Sequence, residues 1–314
     1  MRVIVGSIVA AALIWSGYWA FAAHGVRAQI ESAVAANPDI SVGDWQLGGF
    51  PYRFELDARE VAFVTPDGAH GWQGPRVALT ALAYKPQHLI ATFPAESRLR
   101  VLGLDMDLGL GEGRASVIVQ PGLRLDLDRA NLALDQVALK ALGLTHSADA
   151  LRLALRADGA ALDVALEVTA ITPDALILPV SEVLPAMIGR FGLDAQLTLS
   201  APVALAAPSP NLTEITLRAI VLDWGDLKLS GTGTLRPDGP GTFGGDVALS
   251  VQNWPKLLGL LTASGALEPE MLGMAQMMLA GMADPATGGL TLPLSLRASQ
   301  VFLGPFPLGS FQRL

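Results

Sequence analysis

The sequence predicts a mainly β protein: an N-terminal transmembrane helix, then a long curled antiparallel sheet (a trough, an open barrel or a sandwich) with a few short helices. Three observations predict it. An uncharged run of apolar residues extends from Val3 to Ala23. From about Ser41 onward, apolar residues recur with a period of two, which places one set of side chains on one face of a pleated strand. Turn signals such as Pro66-Asp67-Gly68, Gly111-Glu112-Gly113, Asp158-Gly159 and Pro237-Asp238-Gly239-Pro240 punctuate these runs at the spacing of a meander rather than of βαβ units.

Composition narrows the function classes. With 51% hydrophobic and 16% charged residues the chain is far from disorder, and its charged fraction is below the ~25% usual for soluble domains. The net charge of -8 argues against nucleic acid as a partner, because no cation excess exists to release counterions. With no cysteine, disulfides, zinc thiolates and thiol catalysis are excluded.

The first element is read as a tether. At about 1.5 Å per residue the run Val3–Ala23 matches a hydrocarbon core, and Trp15, Tyr18, Trp19 and Phe21 cluster where amphipathic rings favour a membrane interface. Arg2 favours an inward N-terminus. The competing reading is a cleaved signal peptide, with Ala20-Phe21-Ala22 as a small-x-small site. This run is longer than the apolar region of such peptides and ends in bulky aromatics. Val26, Ile30 and Val34 recur at helical spacing, so the helix is expected to continue to Ala36 and end at Asn37-Pro38-Asp39. The organisation is thus an anchor over 1–36 and an extracytoplasmic β-rich domain over 37–314. The expected location is the inner membrane, single-pass, with the bulk in the periplasm.

The strands follow. Leu104, Met106 and Leu108 alternate with Asp105 and Asp107. Leu123, Leu125 and Leu127 alternate with Arg124, Asp126 and Asp128. The same pattern covers Leu193–Leu199, Leu227–Leu229, Val247–Val251 and Leu290–Leu296. Around Asp158-Gly159 a two-residue loop would pair Ala157 with Ala160, Leu155 with Leu162, Leu153 with Val164 and Leu151 with Leu166, all apolar partners on one face. Asp163 would then lie opposite Ala154. Three later segments look helical: one behind Thr172-Pro173-Asp174, broken by Pro179 and Pro185; Trp254–Leu261; and Pro269–Met282. The last holds five of the eight methionines and is expected to pack them on the sheet as core.

Chemistry-bearing patterns are sparse. His24, His70, His88 and His146 lack metal-ligand spacing, and nothing calls for a cofactor. Asp105/Asp107 and Asp126/Asp128 share the polar side of a strand and read as solvated faces. Gly239–Gly244 matches a dinucleotide glycine pattern by letter, but an alternating run follows instead of a helix, so it reads as a turn. In Gly48–Phe54, the rings of Phe50, Tyr52 and Phe54 are expected to point one way and Arg53 the other. That segment is either an aromatic start to the core or an aromatic entrance at the membrane surface.

The segment Gly49-Phe50-Pro51-Tyr52-Arg53-Phe54, then His88–Pro94, Gly289–Leu296 and Phe302–Gly309, carry a resemblance to the bacterial envelope family known as domain of unknown function 2125. The resemblance covers nearly the whole chain and implies no activity and no catalytic residues. More distantly, a helix followed by a Leu-rich meander is similar to AsmA-like envelope proteins, whose curled sheet forms an apolar groove implicated in phospholipid traffic.

The functional expectation is a non-enzymatic, membrane-anchored envelope protein whose apolar sheet binds or shields lipid acyl chains. The lipid-facing candidates are Phe50, Tyr52, Phe54, Leu125, Leu127, Leu151, Leu153, Leu155, Leu162, Val164, Leu166, Met274 and Met278. The alternative is a structural or adaptor protein with a closed β core that binds another envelope protein. A hydrolase with a dispersed site is a third, weaker reading.

Overall fold

The computed structural model describes residues 2–174, 184–205, 207–239, 241–263, 268–298, 300–303 and 306–310. At 2–12, 29, 33, 36 and 306–310 it describes the backbone. The chain is mainly β, and the eighteen strands among the described residues belong to one antiparallel sheet. Two compact units divide it. One comprises Met1–Val119 with Ala138–Leu142, the other Gln120–Val137 with Gly143–Leu314.

The first unit opens with helix α1 (Arg2–Ala36). It is followed by β1 (Ile40–Ser41), β2 (Asp44–Gly48), β3 (Arg53–Val64), β4 (Gly71–Leu82) and β5 (Lys85–Thr92). Then come β6 (Glu96–Val101), β7 (Leu104–Gly109) and β8 (Glu112–Val119). The expected continuation of the helix to Ala36 is met. Strand β3 holds β1 and β2 on one edge and β4 on the other. Strand β4 then forks: its end at Ala78–Leu82 pairs with β5, and its start at Gly71–Gln73 pairs with β6. The β5 arm continues to β8 and the β6 arm to β7. Register places Leu47, Leu56, Leu79 and Leu89 on one face. Asp57 and Arg76 lie on the opposite one, and there they form a two-bond ion pair.

Strand β9 (Leu127–Ala141) leads into the second unit, a consecutive meander of β10 (Leu144–Asp158), β11 (Ala161–Ile171), β12 (Ile188–Leu199), β13 (Leu212–Trp224), β14 (Leu227–Gly239) and β15 (Thr242–Gln252). Helices α2 (Trp254–Ala263) and α3 (Pro269–Met282) intervene before β16 (Leu290–Arg297), β17 (Gln300–Leu303) and β18 (Phe306–Ser310). From β10 to β18 every strand pairs antiparallel with the next. Both helices open at a tryptophan-proline or glutamate-proline step, where proline's missing N–H costs nothing in the first turn. The helix expected behind Thr172-Pro173-Asp174 lies outside the described residues from 175 to 183.

Three expectations are corrected. The hairpin after β10 turns on Gly159-Ala160, not Asp158-Gly159, so Leu155 faces Val164, Leu153 faces Leu166 and Leu151 faces Val168. Gly159 takes φ +58°, the positive value that the first position of a tight hairpin loop demands. The shift is by two in partner number, so no side chain changes face. Leu123 and Leu125 are not in a strand. Leu125 has φ +52° just after a bend at 121–124, and β9 begins only at Leu127. The methionines of α3 are not core: all five are exposed, Met277 at 80%. The helix instead turns Leu272, Ala275 and Leu279 toward the buried cluster.

Helix α1 needs a fourth correction. Its aromatics do not form a free belt. They dock on the sheet of their own unit, as described below. Among the described residues no helix is long and apolar enough to cross a membrane.

Candidate functional site

Register across the second unit assembles one apolar face strand by strand. Leu151, Leu153 and Leu155 of β10 stand beside Leu162, Val164, Leu166 and Val168 of β11. These meet Phe191, Leu193, Ala195 and Leu197 of β12, then Ile215, Leu217, Ile220, Leu222 and Trp224 of β13. A bulge at Arg218-Ala219 absorbs one extra residue and preserves the face. Leu227 and Leu229, then Val247, Leu249 and Val251, then Leu290–Leu296, continue it to Val301 and Leu303.

The opposite face carries the charges. Arg156 lies directly across from Asp163, and Ala154 across from Ala165, which replaces the expected Asp163–Ala154 neighbour pair. Arg218 bonds Asp163 at 2.6 Å and Arg190 meets Glu167 at 3.2 Å, while Arg152 pairs with Asp135. Lys228 meets Asp223 at 3.1 Å. Between these long side chains, the small Ala154, Ala165 and Gly192 leave a hollow of about 450 Å³ on the polar face.

One end of the apolar face is sealed. Leu184, Trp224, Leu227, Val251, Trp254, Leu258, Leu290 and Leu292 form a buried cluster in which α2 lies on the sheet. Leu227 and Val251 are wholly buried there. The Trp224 indole N–H donates to the Pro185 carbonyl at 2.6 Å. Away from this cap, on β10 to β12, Leu162 is buried, but Leu151, Leu153, Leu155, Val164 and Leu166 are only half-buried. Six of the candidate residues therefore share one stretch of wall. Leu127 is buried at the start of β9, and Leu125, just ahead of it, is 38% exposed. Met274 and Met278 project from α3.

The aromatic candidates form a separate locality in the first unit. Phe50 and Tyr52 lie in a turn and only Phe54 in a strand, so the three do not alternate along one strand as expected. Phe54 is buried at 6% beneath Trp19, whose ring stacks on it at 5.6 Å and meets Phe50 edge-on at 5.4 Å. The Trp15 and Trp19 indoles donate to the carbonyls of Pro51 and Arg53 at 2.8 and 3.1 Å. The Tyr18 hydroxyl donates to Ala83 at 3.2 Å. The core reading of this segment thus holds for Phe54, whereas Phe50 and Tyr52 stay exposed. The docking of α1 was not legible from hydropathy, because three ring donors seeking backbone carbonyls look the same as an interfacial belt.

The carboxylate pairs are occupied by arginines. Asp105 accepts two bonds from Arg100, at 2.6 and 2.8 Å, which hold its carboxyl below its ordinary range. Asp107 faces Arg98 at 3.7 Å. Among the described residues no three His, Asp or Glu side chains gather as a metal site. A family model described as "Uncharacterized protein conserved in bacteria (DUF2125)" matches residues 19–312. No curated protein and no solved structure matches the chain.

Proposed function

The chain belongs to this DUF2125 family, and from that premise we propose that it is a non-enzymatic envelope protein, held at the inner membrane through α1, whose apolar sheet face binds or shields lipid acyl chains. One observation carries the reading. The apolar face runs without a break from β10 to β17, yet among the described residues helices cover it at one end only, leaving half-buried leucines on β10 to β12. A contiguous apolar surface on that scale marks an interaction site. The wall is mostly aliphatic, with Phe191 and Trp224 among its leucines, which suits acyl chains, and the charges lie on the far face. The uncharged run Val3–Ala23 supports the membrane location, and a likeness in element order to AsmA-like envelope proteins supports the use of the sheet by analogy.

Lipid extraction from protein purified in mild detergent, read by mass spectrometry, tests it. Phospholipid should accompany the chain and be lost from the Leu153→Asp, Leu166→Asp double variant while far-ultraviolet dichroism is retained. Protein that is lipid-free, with a fully protected interior, overturns the reading and favours a closed core that binds another envelope protein.

A further inference from the structure

The docked face of α1 is only half of what surrounds it. On its other side Ile14 and Phe21 are exposed at 74% and 81%, together with Leu13, and the docked Tyr18 is itself partly open to solvent. The two turns that receive the helix are equally apolar. Tyr52 is exposed at 71%, Tyr84 at 61%, and Phe50 and Leu82 also face solvent. These residues form one apron. Trp15 and Trp19 tie the helix to the 49–53 turn, Tyr18 ties it to the 83–84 turn, and the Ala83 N–H joins the turns by donating to the Tyr52 carbonyl at 2.9 Å. Lys85 and Arg53 are exposed at its rim, Arg53 beside Glu55 at 2.6 Å.

We infer that this apron is the seat of the first unit on a phospholipid bilayer, with Phe50, Tyr52 and Tyr84 at headgroup level. This rests on the membrane location proposed above. Tyrosine and tryptophan rings, with an apolar body and a polar tip, partition to that level, and cations at the rim complement lipid phosphates. The uncharged residues 3–12 of α1 run directly out of the apron in the N-terminal direction. Because Trp15 to Trp19 are bonded to the turns, any bilayer that holds the start of the helix must bring the turns to its surface. The helix gives up part of its own apolar reach to this docking, and the exposed rings of the turns restore it. The opposite end of the unit then points away. Strands β3 and β4 each run 12 residues, about 36 Å at ~3.3 Å per residue. At their far end the Gly103 N–H bonds the Ala69 carbonyl, which places the exposed Leu102 there.

The absence of native cysteine allows a direct test on the full chain. Tyr52→Cys, Tyr84→Cys and Leu102→Cys are each labelled with an environment-sensitive fluorophore. They are reconstituted into vesicles of phosphatidylcholine and phosphatidylglycerol containing headgroup-spin-labelled lipid. The labels at 52 and 84 should lose about half their emission, as expected of groups at the interface, and the label at 102 should lose none. Two label positions guard against one variant misfolding. Equal quenching at all three sites, or none while the chain floats with the vesicles, overturns the seating and leaves the tether intact. A chain that does not float with vesicles overturns both. Neither outcome touches acyl binding by the sheet.

Discussion

Leu153 and Ala154 are chain neighbours that face opposite sides of β10, and their surroundings set what each substitution does. Leu153 sits against Leu166 in a half-buried apolar wall. Leu153→Asp should cost roughly 1–3 kcal/mol, the range for stranding a polar group among apolar neighbours, measured by urea denaturation. Arg156→Ala on the exposed face should stay within about 0.5 kcal/mol. Asp238 gives a pH signature. It accepts the Thr242 hydroxyl at 2.6 Å and the Ala298 N–H at 2.7 Å, which together hold its carboxyl below the ordinary range. A lowered folded value means that the ionised form favours folding. The contribution is therefore present above about pH 4 and is lost as pH falls through the folded value. The urea midpoint of Asp238→Asn should show a shallower decline on acidification than that of the parent chain; identical declines would rule the carboxylate out.

At the scale of elements, the helical cap concentrates stability. Leu227 is wholly buried beneath α2, so Leu227→Ala should cost about 2–5 kcal/mol. Met277→Ser on the exposed side of α3 should change stability by no more than about 0.5 kcal/mol. Near-equal losses would mean that the methionines are packed after all. Much of this layout was legible. Period-two runs located β7, β12, β14, β15 and β16, and proline steps located α2 and α3. What was not legible has physical causes. The loops at Leu102-Gly103 and Leu142-Gly143 use positive φ at leucine, where asparagine or aspartate would have signalled the turn. Alternation at Leu123–Leu127 was real in the sequence, but Leu125's left-handed backbone interrupts it. Five methionines on a helix whose one charged side chain is Glu270 imply an apolar partner, and sequence does not say whether that partner is the protein's own core.

For the whole molecule, the central claim is that one face of a continuous sheet is apolar and incompletely covered. The alternating leucines predicted the apolar face, though not whether it is covered, and the registers of β10 to β17 assemble that face. The fork at β4 and the division into two units were beyond reach, because strand partners remote in sequence leave no local pattern. The most direct measurement is photocrosslinking in intact cells. A benzophenone side chain is placed in turn at Leu153, Leu166 and Leu193 on the apolar face and at Ala154, Glu167 and Asp194 on the polar one. The account predicts lipid adducts from the first set and not from the second. Adducts from both sets alike, or from neither, would contradict it.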